Sequence, residues 1–255
     1  MFWHLSQVTE VTMSKIEWTE QTWNPITGCS KVSPGCKHCY AETMAKRLHA
    51  MGAPGYDNGF KLSLLPERLS QPLQRRKPTM YFVNSMSDLF QDEVPFEFVE
   101  KVMHVIEQTP WHTYQILTKR SALMRRYFET HQVPDNAWLG VSVEDKKYGK
   151  PRIPELQAIK AKTRFLSVEP LLEDIGRISL SGIHWVIVGG ESGHAARPMK
   201  EQWVVSLRDQ CHRSNVNFFF KQWGSWGNDG IKRSKKANGR NLEGKVWDMI
   251  PAIAV

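Results

Sequence analysis

"HWVIVGGESG", residues 184–193, sets four consecutive apolar residues before two glycines and a polar pair. A run this short, apolar throughout and β-branched at three of its positions, suits a strand buried on both faces. The design recurs in "TMYFVNSMSD" (79–88), "TYQILTKR" (113–120), "AWLGVSVED" (137–145), "TRFLSVEP" (163–170) and "NFFFKQWG" (217–224), each closing on polar residues. Helix-compatible stretches lie between several of them. "PFEFVEKVMHVIEQ" (95–108) has Pro95 near its start and apolar residues at helical spacing, and "SALMRRYFETH" (121–131) and "EQWVVSLRDQCHRS" (201–214) are similar. Strand–helix alternation implies parallel strands with helices outside. A short strand around Gln21–Thr27 brings the sheet to about seven strands. The expected fold class is α/β, a complete or partial TIM-like barrel, with an open doubly wound sheet as the alternative.

Hydrophobic content of 41% and charged content of 24% over 255 residues allow one large domain with a substantial core. No Gly/Ser-rich linker or repeat divides the chain. The expected organisation is a loose N-terminal extension over 1–12, a barrel domain over 13–228 and a basic tail over 229–255. Residues 52–78 form the longest irregular insertion, a lid or a side subdomain. No apolar run approaches the ~20 residues that cross a bilayer, and the N-terminus lacks the basic start and apolar segment of a signal peptide. No membrane partner is expected. Four cysteines with three clustered do not make a disulfide framework, so a reducing, cytoplasmic setting is expected. The net charge of +8 favours polyanions through counterion release, making a nucleotide or nucleic acid a candidate partner. Part of the excess lies in "IKRSKKANGR" (231–240), either a solvated tail or a phosphate-contacting arm.

In a barrel of this kind, active-site residues gather at the C-terminal ends of the strands. Here those ends carry Asn84, Ser85, Ser87 and Asp88; Lys119 and Arg120; Ser142, Glu144 and Asp145; Ser167 and Glu169; Glu191 and Ser192; Lys221 and Gln222. Repetition across six strands favours one shared polar cavity.

The stretch "TGCSKVSPGCKHCYAE" (27–42) holds three of the four cysteines, Cys29, Cys36 and Cys39, spaced C-x6-C-x2-C. Thiolates bind soft metals, and a C-x2-C turn aims two sulfurs at one centre. Gly28, Pro34 and Gly35 support a tight loop. A structural zinc could add His38, Cys211 or another histidine, although adjacent His38 and Cys39 are awkward ligands for one tetrahedral ion. A [4Fe-4S] cluster held at three irons would instead leave the fourth open to a ligand. Buried, unliganded thiols are the third reading.

A three-cysteine loop after a first strand, followed by "HCYAE" and a helix, resembles the radical S-adenosylmethionine superfamily, although that superfamily usually has C-x3-C-x2-C. From Lys15 onward, "WTEQTWNPITGCSKVSPGCKHCYAE", "YFVNSMSDLF", "QILTKR", "WLGVSVED", "RFLSVEPLL", "WVIVGGESG…ARPM", "SLRDQC" and "FFFKQWG" are similar to the phage-encoded three-cysteine-motif proteins, classed as radical-S-adenosylmethionine-like. The resemblance implies that Cys29, Cys36 and Cys39 ligate the cluster, that S-adenosylmethionine binds its open iron, and that an electron donor drives cleavage to a 5′-deoxyadenosyl radical. Tyr40 would shield the cluster or contact adenine, or simply pack at the helix start. The superfamily binds the cofactor amino group after the second strand, which corresponds to Asn84, Ser85, Ser87 and Asp88 rather than to "GGES" on the sixth. Asp88 could instead cap a turn. Ser142 and Glu144 are candidates for the ribose hydroxyls, and Glu169 and Glu191 for the substrate. Lys119, Lys221, Arg120 and Arg197 would bind a substrate phosphate or pair with these carboxylates. Cys211 reads as a packed residue of its helix, or as a hydrogen-atom donor.

Overall fold

The structure, a computed structural model, describes residues 16–252, so the 1–12 extension lies outside the described residues. Seven strands form the main sheet: β1 (Gln21–Trp23), β2 (Met80–Val83), β3 (Thr113–Thr118), β4 (Ala137–Ser142), β5 (Thr163–Val168), β6 (Trp185–Gly189) and β7 (Asn217–Gln222). Each strand pairs in parallel with the one before it. A doubly wound sheet would reverse its order at an interior strand. The unbroken order is that of a barrel, but among the described residues no pairing joins β7 to β1. The sheet is therefore a curled half-barrel.

Helices α1 (Tyr40–Ala50), α2 (Phe96–Gln108), α3 (Ser121–Phe128), α4 (Arg152–Gln157) and α5 (Glu201–Arg213) lie in five of the six connections, and residues 169–184 join β5 to β6 without a helix. In α2, Pro95 occupies the N-cap, where its missing N–H costs no intrahelical bond. The buried residues Phe98, Val99, Val102, Val105 and Ile106 fall at helical spacing and seat the helix on the sheet.

Strand alternation splits the core in two. Tyr81, Val83, Tyr114, Ile116, Leu139, Val141, Leu166, Val168, Val186, Val188, Phe218 and Phe220 point to the helices. On the concave side, Met80, Phe82, Trp138, Phe165, Trp185, Ile187 and Phe219 form a second cluster. Trp18, preceding β1, joins it, its ring 4.7 Å from Phe82 and 6.1 Å from Trp185. Gly140 faces the same space, and a Cβ there would lie 2.4 Å from the Phe165 ring. This aromatic floor fills the concave side toward the strand N-termini and leaves room above it, where Ser142, Ser167 and Lys221 follow.

Three expectations change. The strand expected over Gln21–Thr27 breaks at Asn24–Pro25: Ile26–Thr27 leaves the sheet and pairs antiparallel with Ser63–Leu64. Proline lacks the N–H that would extend the ladder. The insertion 52–78, expected as a lid or a side subdomain, is thereby packed against the barrel's first strand and helix: the Trp23 indole donates to the Arg68 carbonyl at 2.8 Å, and Tyr56 packs with Ala41, Ala45 and Met86 under α1. Residues 229–252 fold back onto β7. Leu242 is fully buried, the Phe220 N–H donates to the Trp247 carbonyl at 2.8 Å, and Phe219 forms an antiparallel bridge with Asp248. Much of the basic run is also engaged, through Lys232 with the His194 carbonyl, Arg233 with Asp229, Lys235 with Glu17 and Arg240 with the Trp247 carbonyl.

Candidate active site

The loop carrying the cysteines leaves β1 and lies over the C-terminal ends of its neighbours, each of which supplies a grip. From the β2 end, the Met86 carbonyl accepts the Gly28 N–H and the Gln91 side chain accepts the Ser30 N–H at 3.0 Å. Arg120, at the end of β3, donates to the Ser30 carbonyl at 3.0 Å and hydroxyl at 2.7 Å, and to the Cys29 Sγ at 3.6 Å. Glu144, beyond β4, accepts from the Ser33 hydroxyl and underlies Gly35, where a Cβ would meet its carboxylate at 3.0 Å. Beyond β6, Glu191 holds Arg197 at 2.6 Å, and Arg197 donates to the Pro34 carbonyl at 3.0 Å. Gly28 permits the loop's departure: its φ is +79°, and a Cβ would strike the Lys61 carbonyl oxygen at 2.1 Å.

Beside the loop and above the aromatic floor lies a cavity of about 380 Å3, within the ~300–1,000 Å3 usual for small-molecule sites. Cys36, His38, Cys39 and Tyr40 form one wall; Lys119, Ser142, Ser167, Glu169, Glu191 and Lys221 come from the strand ends. Most of its charges are paired. Lys221 meets Glu169 at 2.9 Å, with its ammonium 5.7 Å from the Trp18 ring centroid, and Lys235 meets Glu17 at 2.7 Å. Among the described residues lining the cavity, Lys119 has no hydrogen bond or ion pair to its ammonium. Burial pushes the Glu191 carboxyl up, but the Arg197 guanidinium and N–H outweigh it and hold the group below its ordinary value. Glu144 behaves alike: burial raises it, and Lys119, Arg152 and the Ser33 hydroxyl more than compensate.

Of the residues singled out in the sequence, Cys36, Cys39, Tyr40, Lys119, Ser142, Glu169, Glu191 and Lys221 line this cavity. Cys29, Asn84, Ser85, Ser87, Asp88 and Glu144 do not line it. Asp88 is buried and accepts from Thr118 at 2.7 Å, Phe90 N–H at 3.0 Å, Lys119 N–H at 3.0 Å and Arg120 at 3.1 Å. Asn84 takes a left-handed φ of 58° and accepts from the Ile26 N–H, Ser85 accepts from the Tyr40 hydroxyl through its carbonyl, and Ser87 donates to the Ile26 carbonyl at 2.8 Å. Arg120 and Arg197 are consumed by internal partners. Sequence reasoning missed Glu17, Trp18 and Lys235, which lie outside the strand pattern and carry no periodic signal, and Ser33 and Arg152, whose roles depend on contacts far apart in the chain.

Among the described residues, no three His, Cys, Asp or Glu side chains converge as a single-ion site. A four-iron cluster makes a different demand, three thiolates spread over three irons. The donors fit it: Cys29, Cys36 and Cys39 are free, partly exposed and share one loop, two of them on the cavity wall. Cys211 is fully buried among α5's core contacts and supplies no ligand.

A family model described as "Protein of unknown function (DUF5131)" matches residues 13–251. No curated protein sequence matches the chain. The architecture recurs in spore photoproduct lyase: a tyrosine-to-phenylalanine variant gives a TM-score of 0.53 at 10% identity, over 86% of this chain and 80% of the other. A complex of that lyase with a dinucleoside spore photoproduct gives 0.49 at 12% identity, over 80% of this chain and 64% of the lyase. A cysteine variant with bound AdoMet and the dinucleoside gives 0.46 at 13% identity, over 71% and 59%. In the last two comparisons the chain spans less than two thirds of the lyase's length. At these identities the likeness is one of fold.

Proposed function

The chain belongs to the DUF5131 family of proteins of unknown function, and we propose that it is an iron–sulfur enzyme that binds S-adenosylmethionine and starts radical chemistry on a nucleotide or nucleic-acid substrate. The observation that carries this reading is the three-cysteine loop placed across the C-terminal ends of a half-barrel, with Cys36 and Cys39 opening onto a cavity of about 380 Å3. Cys29, Cys36 and Cys39 would hold a [4Fe-4S] cluster at three irons. When bound there and reduced by an electron donor, such a cluster would supply the electron for reductive cleavage of S-adenosylmethionine to methionine and a 5′-deoxyadenosyl radical.

The protein's own residues supply binding, orientation and exclusion of water. The aromatic floor of Trp18, Phe82 and Trp185 keeps water out from below. Tyr40 walls the cavity beside Cys39, its hydroxyl fixed on the Ser85 carbonyl. Ser142 and Ser167 offer hydroxyls for sugar hydroxyl groups. Lys119, unpaired on the wall, is the cation for an anionic group, a phosphate of the substrate or the carboxylate of the cofactor. Glu169 and Lys221 face the substrate as a neutral pair, able to offer an acceptor and a donor. The net charge of +8 supports a polyanionic substrate.

Anaerobic reconstitution with iron and sulfide tests this reading. The expected result is broad absorbance near ~400 nm that Cys36→Ala abolishes, and 5′-deoxyadenosine formation when dithionite and S-adenosylmethionine are added. A colourless protein with stoichiometric zinc, or a reducible cluster that leaves the cofactor intact, would overturn it.

A further inference from the structure

Arg120 has five N–H donors, and five acceptors surround it. Nε donates to Asp92 at 3.3 Å; one terminal nitrogen donates to Asp88 at 3.1 Å and to the Cys29 sulfur at 3.6 Å; the other donates to the Ser30 carbonyl at 3.0 Å and hydroxyl at 2.7 Å. The side chain is only 6% exposed, and Asp88 only 8%. Four contacts therefore fix the guanidinium in place, and the fifth N–H lies against a cysteine sulfur.

We propose that Arg120 tunes the reduction potential of the cluster held by Cys29, Cys36 and Cys39, by donating an N–H to the Cys29 sulfur from a guanidinium locked by its other partners. The inference rests on the cluster reading given above. The step is a one-electron reduction: a low-potential donor, dithionite in the test, loses an electron, the cluster gains one negative charge, and no bond or proton is exchanged. A cation and a hydrogen bond at the sulfur stabilise the more negative form and raise the potential. Asp88 and Asp92 oppose this: Asp88 shares the terminal nitrogen that faces Cys29 and, after burial, is the stronger influence pushing that thiol up, but neither carboxylate makes a hydrogen bond to the sulfur, so the directed N–H is what Arg120 contributes. Since Arg is charged at every accessible pH, the contribution does not titrate away. Arg120 is a positioning and tuning residue, touching a ligand rather than the substrate.

The test is a redox titration of the reconstituted holoprotein, with reduced cluster read by electron paramagnetic resonance, which reports only loaded protein. Arg120→Lys keeps the charge but loses the planar fork. Because a lone change can leave Asp88 unpaired in the interior, Asp88→Asn/Arg120→Gln is the second variant, unaltered in net charge. Arg120→Lys is expected to raise the oxidised-to-reduced ratio at fixed potential about tenfold, a downward shift of ~59 mV for a one-electron couple, and the double variant, in which loss of the Asp88 charge offsets loss of the cation, to shift it the same way by less. Arg125→Gln, removing a half-exposed cation of α3, should leave the midpoint in place. Unchanged midpoints in both Arg120 variants, with the wild-type cluster formed and reducible, would overturn the tuning role alone. A wild-type protein that takes up no iron overturns the cluster reading and this inference with it.

Discussion

Glu144 has no exposed surface, yet it carries a charge, meets Arg152 at 2.6 Å and accepts from Ser33 in the middle of the cysteine loop. Removing one partner of a buried ion pair costs about 3–5 kcal/mol, because the other charge is left uncompensated. Glu144→Ala is therefore expected to lose stability of that order in urea unfolding and to lower iron loading in reconstitution. The pH dependence has a definite sign. The folded Glu144 carboxyl titrates below its ordinary 4.5, so its stabilisation is complete above that value and is lost as pH falls through the lower folded one. Glu144→Gln should flatten this acid limb of the stability profile, measured by the denaturation midpoint between pH 6 and the acid transition. The sequence marked Glu144 as a strand-end acid but not its task. The choice between facing a ligand and holding up a loop depends on Arg152 and Ser33, the latter 111 positions away.

At the ends of β6 and β7 two backbones come together. A Cβ on Gly190 would sit 1.9 Å from the Trp223 carbonyl oxygen and 3.3 Å from the Met199 side chain. The first contact is with backbone, which cannot swing aside, so Gly190→Ala forces the two strand ends apart. Overpacking of this kind costs about 1–3 kcal/mol, and the displacement would carry Glu191, Arg197 and the Pro34 grip with it. The expected outcome is a lower midpoint in chemical denaturation together with reduced iron loading of the cysteine loop. Here the sequence was informative: apolar runs ending in polar residues located β2 to β7. The first strand was less legible, because Pro25 interrupts it and sends Ile26–Thr27 to a partner in the insertion, a non-local pairing without a sequence period.

Sequential parallel pairing explains why the cavity sits where it does: every strand delivers its last residues to the same rim, and the helices cover only the convex face. That much follows from strand–helix alternation. The composition of the basic segment, by contrast, pointed to a solvated tail or an arm, because charge density does not reveal that Leu242 and Trp247 are its anchors. Deleting 229–255 is expected to lower thermal stability and to convert the protein into higher-order species, read by size exclusion with light scattering. The cause is the bridge from Asp248 to Phe219 and the bond from Phe220 to the Trp247 carbonyl, which cover the outer side of β7. An uncovered strand edge is a template for another chain. Translation makes β7 before its cover, so a chain cut short between Gln222 and Trp247 carries that edge bare and is open to partnering with its own kind.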